Sequence, residues 1–210
     1  MTVSRAPDWL DERRVEKVTR KTQKALEWDI RRISVTFYSD QAEFERVHSL
    51  GGAVLAVTRK SDQSVHVGPR VTRLNFDEVF GHELGHVIVF QKYKDSIPSW
   101  LDEGLANYAS RSSQVDYRWL VQQKLKPVRE MGHPFQGLKA EPGLPEPARY
   151  HYTASTALAE MLASQCGMSD LLQLSTGKKL ENYLATFCRI SDLDQSFAAW
   201  VRKKADPPKK

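Results

Sequence analysis

The chain is poor in cysteine, with two, Cys166 and Cys188, in 210 residues. Two thiols cannot build the crosslinked framework of a small secreted scaffold, and neither belongs to a Cys-x-x-Cys pair, which argues against a thiolate zinc site. They are expected either to pair once or to stay as two buried thiols. Long apolar runs are also missing. None approaches the length of a membrane span, and residues 1–8 have no apolar signal-peptide core. The expectation is a soluble, cytoplasmic protein with no membrane contact; a secreted form whose leader has been removed would read the same way. No internal repeat is visible. Charge imbalance is small, at +5. Basic residues are interleaved with acids, so no nucleic-acid partner is expected.

Bulky apolar material is present, with five Trp and eight Phe for a core. Asp8 to Asp29 reads as a polar helix with a thin apolar stripe. Ile33–Tyr38 is a β-branched and aromatic run, hence a strand. Ser39-Asp40 offers an N-cap for a short helix over Gln41–His48, and Gly51-Gly52 ends it. Ala53–Arg59 and Ser64–Val67 read as strands of a hairpin around Lys60-Ser61-Asp62-Gln63. From about Asn75 to Lys92 apolar residues wrap most of a helix, as in a buried one. Ile97-Pro98-Ser99 breaks the chain, and another helix starts near Trp100. A further helix is expected over Asp116–Leu125. Residues 126–149, with Pro127, Pro134, Pro142, Pro145 and Pro147, read as a long irregular connection. Helices are then expected over Thr153–Cys166, near Ser169–Leu174 and over Asp192–Lys203. The class is α+β.

One stretch carries chemistry: His82-Glu83-Leu84-Gly85-His86. On a helix, residues four apart share a face, so His82 and His86 can turn their imidazoles to one zinc ion. Glu83 sits about 100° round from His82. There it can reach the side of the metal without ligating it, where a general base for a zinc-activated water must stand. The plain alternative is a helix with two core or surface histidines, but burying two histidines and a glutamate without a partner is costly. A catalytic zinc takes a third protein ligand. Glu103 is the best candidate, because the 16 residues between it and His86 allow a helix end, a turn and the start of a second helix. Asp102 is the nearest rival, about 100° away on the same helix. Alone, Glu103 would read as an ordinary first-turn acid favoured by the helix dipole.

His82-Glu83-x-x-His86 together with Trp100-Leu101-Asp102-Glu103-Gly104-Leu105-Ala106 resembles the gluzincin metallopeptidases. The likeness is to their aminopeptidase-like branch and to small peptidase MA-like domains, and it is specific over residues 78–108 and weaker over about 51–175. It implies Zn2+ held by His82, His86 and Glu103, with Glu83 as base and proton shuttle. It implies a zincin-like fold in one domain. Residues 1–92 would form an α/β lobe ending in the metal-binding helix, 93–204 a helical lobe carrying the glutamate, and 205–210 a tail. Asp102 and Asn107 take the places of groups that orient the ligating histidines. Tyr152, just ahead of the expected 153–166 helix, takes the place of an oxyanion donor, with Tyr150 and His151 as substitutes. Ala53, Val54 and Leu55 fall where the family's edge strand meets a peptide substrate. The aminopeptidases carry an amine-binding glutamate there, whereas this chain has Gly52-Ala53-Val54-Leu55-Ala56. That departure favours an endopeptidase acting on a peptide or protein substrate. A silent relative of the same fold, used for binding or scaffolding, is the other expectation, and the intact Glu83 speaks against it. His66 and His133 read as incidental.

Overall fold

A computed structural model describes residues 1–110, 114–131, 139–167, 171 and 180–206. The chain is α+β and divides into two compact units, Met1–Lys92 with Ala109–Ser112, and Tyr93–Tyr108 with Ser113–Lys210.

The first unit is built on a four-stranded sheet. Its strands are β1 (Thr2–Ser4), β2 (Ser34–Phe37), β3 (Ala56–Arg59) and β4 (Ser64–Val67), in the order β1-β2-β4-β3. β1 and β2 pair in parallel, as do β2 and β4, whereas β3 runs antiparallel to β4. Helix α1 (Glu12–Leu26) starts where the Asp11 side chain accepts the Arg14 N–H and ends at Glu27, which adopts a left-handed φ of 50°. These caps trim the helix expected over 8–29 at both ends. β1 was not expected; it is short and fully exposed, so no alternating apolar pattern marks it. A short helix α2 (Gln41–Glu45) follows the Asp40 cap.

β3 begins later than the expected Ala53. Gly51 has a φ of +82°, the Val54 N–H returns to the Gly51 carbonyl, and Arg70 donates to the carbonyls of Gly52 and Val54. The Gly51–Leu55 segment is therefore a clamped turn leading into the strand, and Ala53, Val54 and Leu55 lie in it.

Helix α3 (Phe76–Tyr93) covers the sheet. Phe76, Phe80, Leu84 and Val87 recur at four- and three-residue steps and enter one core with Val35, Phe37, Ala56, Val65 and Val67. Phe76 and Phe80 stack at 4.9 Å. Near the end of α3, Lys92 is buried and its Nζ donates to the Leu26 carbonyl at 2.8 Å. Burial lowers its pKa from 10.5 to about 8, with Glu27 opposing. The unfolded chain then binds more protons between those values, so stability rises with pH across the window. At about 1.4 kcal/mol per unit, the stability advantage of Lys92→Met over the wild type should shrink by on the order of 3 kcal/mol from pH 7.5 to 10.5. Urea unfolding at a series of pH values measures this, and a constant difference would refute it.

The second unit is helical: α4 (Ser99–Ser110, its last two residues counted with the first unit), α5 (Tyr117–Leu120), a 3-10 turn at Val128–Glu130, α6 (Pro147–Gln165), α7 (Leu180–Phe187) and α8 (Leu193–Ala205). α5 is shorter than the expected 116–125, because the Gln122 and Gln123 N–H groups bond three residues back and the Lys124 N–H goes to the Gly143 carbonyl. α6 begins six residues before the expected Thr153, because Pro147 occupies its first turn, where a missing N–H costs nothing. α7 was not expected, and the helix expected near Ser169–Leu174 lies mostly outside the described residues, as does His133. Tyr117 donates to Glu160 at 2.6 Å and accepts from the Trp200 indole at 3.0 Å, tying α5, α6 and α8 together. Burial, then the Glu160 bond, raises the Tyr117 pKa. Cys166 and Cys188 form a disulfide, resolving the open choice between one bridge and two thiols. A loop of 22 residues closed in this way is worth about 3 kcal/mol in the chain-entropy picture.

α4 and α6 meet at Gly104. A Cβ there would stand 2.7 Å from the Ser155 carbonyl carbon and closer still to its oxygen. Both are backbone atoms, so the helices would have to separate. Gly104→Ala is expected to destabilise the protein by about 3 kcal/mol or more. A loss under about 1 kcal/mol in chemical denaturation would show that this contact relaxes cheaply.

Candidate metal centre

The apolar stripe of α3 decides where its polar residues point. His82 and His86 each lie two positions from Leu84, about 200° round the helix from the core stripe. They are half-buried, whereas Leu84 is fully buried. The two rings stand edge to face with centroids 4.6 Å apart, and their Nε2 atoms approach to 3.0 Å. Two nitrogens at about 2.05 Å from a tetrahedral zinc would be about 3.3 Å apart. The imidazoles therefore already converge as a shared ion requires.

Glu83 lies three positions after Phe80, about 60° from the core stripe, and is buried. Its carboxylate turns toward the sheet. The Thr58 hydroxyl on β3 donates to Oε2 of Glu83 at 2.7 Å and lies 3.0 Å from the Glu83 carbonyl oxygen. Thr58 was not singled out in the sequence. It lies within the expected 53–59 strand, but only the pairing of β3 with β4 fixes which of its residues face α3.

Helix α4 carries Trp100, Leu101, Asp102, Glu103, Leu105, Ala106 and Asn107, all buried. Glu103 and Asn107 are four apart and share a face, with Asp102 about 100° from Glu103. His82, His86 and Glu103 each offer one ligand atom, and these atoms lie within 4.8 Å of one another. Among the described residues this is the only such group of histidine, cysteine or acidic side chains. It is a set of two imidazoles and one carboxylate that could hold a metal ion.

The other expected residues fall as follows. Tyr152 is half-buried in the second turn of α6, which corrects its expected place ahead of the helix, and its carbonyl accepts the Thr156 hydroxyl at 2.7 Å. Tyr150 is buried and its hydroxyl accepts the Lys126 N–H at 2.9 Å, so it supports the backbone of the preceding loop. His151 is buried on the same turn. Ala53, Val54 and Leu55 are turn residues, and the Leu55 carbonyl accepts the Gly68 N–H at 2.8 Å. β3 itself is an edge strand: among the described residues it has β4 on one side and no strand on the other.

His66, read as incidental, is buried and anchors a chain of hydrogen bonds that runs from half-buried Tyr38 to exposed Asp62. Its Nδ1 is 2.8 Å from the Tyr38 hydroxyl, its Nε2 is 2.8 Å from Ser64 Oγ, and Ser64 donates to Asp62 at 2.6 Å. Because Ser64 gives its proton to the carboxylate, Nε2 carries the ring proton and Nδ1 accepts from Tyr38. Burial, then the nearby Arg59, lowers the His66 pKa and favours this neutral form.

No helix among the described residues is long and apolar enough to cross a membrane. No family model matches the chain, and no curated protein matches it either.

Proposed function

We propose that the chain is a zinc-dependent metallopeptidase of the gluzincin type, with a zincin-like fold, that hydrolyses internal peptide bonds. The observation that supports this most is the group formed by His82, His86 and Glu103, whose ligand atoms lie within 4.8 Å of one another. Glu83, next to His82 on α3 and hydrogen-bonded to Thr58 of β3, suits a general base, for which a purely structural metal site has no use.

When bound, zinc supplies Lewis acidity, lowering the pKa of a water toward 7 and polarising a carbonyl. The chain's own residues have distinct tasks in this reading. His82, His86 and Glu103 hold the ion. Asp102 and Asn107 orient ligands from behind. Glu83 takes a proton from the attacking water and returns it to the leaving amine. Tyr152 donates to the carbonyl oxygen as negative charge develops there. A peptide substrate lies along the open edge of β3, entered from Ala53, Val54 and Leu55. The carbonyls of Val54 and Leu55 are already engaged by Arg70 and Gly68, which leaves the strand itself as the pairing edge.

One experiment tests the reading: digestion of a proteome-derived peptide library, with metal analysis on the same sample. New internal cleavages that vanish with a chelator and return with zinc are expected. Stoichiometric zinc without any cleavage would instead support a silent binding protein of the same fold.

A further inference from the structure

The contact between Thr58 and Glu83 joins the sheet to the catalytic helix, and nothing in the metal-binding pattern calls for it. The Thr58 hydroxyl has one proton and two acceptors within reach, Oε2 at 2.7 Å and the Glu83 carbonyl at 3.0 Å. The carboxylate oxygen is the nearer of the two acceptors. Thr58 is itself well fixed. It pairs with Val65 of β4, and its β-branched side chain has few accessible χ1 wells. A glutamate, by contrast, has three rotatable bonds and loses much freedom when it is held in one place.

We infer that Thr58 is a positioning residue, holding the Glu83 carboxylate in the one orientation suited to proton transfer and fixing it to the strand along which substrate would lie. The inference rests on the proposed role of Glu83 as base. Its physical content is preorganisation: a base displaced by about 1 Å can cost 100-fold in rate without any change in the ligands of the metal. The hydroxyl does not touch the reacting atoms. It acts through Glu83, and its loss is expected in turnover rather than in substrate binding.

The test compares Thr58→Val, which keeps the shape and removes the proton donor, with Thr58→Ser, which keeps the donor. Substrate is the best-cut peptide from the library. Thr58→Val is expected to lower kcat by about 10- to 100-fold with KM within about twofold. Zinc should stay at one per chain, and Thr58→Ser should keep kcat within about threefold. Crystal structures of the metal-free wild type and Thr58→Val supply a readout independent of activity. The Glu83 carboxylate should sit at the hydroxyl in the first and leave that position in the second. An unchanged kcat in Thr58→Val, or a Glu83 carboxylate that stays in place without the hydroxyl, overturns the inference. A purely structural hydroxyl would lower the melting temperature while leaving kcat per zinc-loaded chain intact, which also overturns it. If the wild type cuts nothing, the peptidase reading fails; if Glu83→Gln cuts as well as wild type, the role of Glu83 as base fails; in either case the crystallographic comparison alone then decides whether Thr58 positions Glu83.

Discussion

Glu83→Gln is expected to cut casein about 100- to 10,000-fold more slowly than the wild type while keeping one zinc per chain. The substitution is nearly isosteric at a buried position, and the amide oxygen can still accept from Thr58, so α3 and its docking on β3 should survive. What the amide cannot do is take a proton. The loss should therefore fall on the chemical step and leave both folding and metal content unchanged. Kinetics and metal analysis on one preparation check this, and full activity in the variant would remove Glu83 from the mechanism.

Glu103→Ala is expected to weaken zinc binding by about 100-fold or more, beyond the 10- to 100-fold typical of losing a group that merely supports a ligand. The carboxylate is buried and is the one acidic member of the His82, His86 and Glu103 group, so the variant loses a donor atom and the negative charge that offsets the ion. His82→Ala should behave the same way. Asp102→Ala, beside it on α4, should cost no more than about 100-fold, which separates ligand from neighbour. Competition with a chelator of known affinity ranks the three. Unchanged zinc in Glu103→Ala would hand the third position to another group.

Local physics accounts for which parts of this structure could be read in the sequence. Helix α3 was placed to within one residue because apolar residues wrap most of it, as in a buried helix. The β3–β4 hairpin was visible in two β-branched runs around a polar loop. α4 followed from the break at Ile97-Pro98-Ser99 and a helix start near Trp100. The errors share a cause, in that distant contacts overrule local pattern. Arg70, which holds the carbonyls of Gly52 and Val54, delays β3 to Ala56. The proline-rich run hid the first turn of α6, because Pro147 initiates a helix as readily as it breaks one. α7 buries Leu180, Tyr183 and Leu184 at helical spacing, but eight residues without a marked cap make a weak signal. At the candidate metal centre, spacing was enough to put His82 and His86 on one face because both lie on one helix. Glu103 needed a second helix, and was reached through the 16 residues that separate it from His86 and the likeness of the Trp100–Ala106 segment. Thr58 was out of reach, because its meaning depends on a strand register.

The bridge between Cys166 and Cys188 bears on how this protein would look if it were nicked. Any peptide bond broken between those two residues leaves both fragments covalently joined. Self-cleavage there would not change the apparent mass on a gel run without reductant, and two bands would emerge only once thiol was added. A preparation judged intact by the first gel alone could already be cut, and its activity would then be credited to the wrong form of the chain.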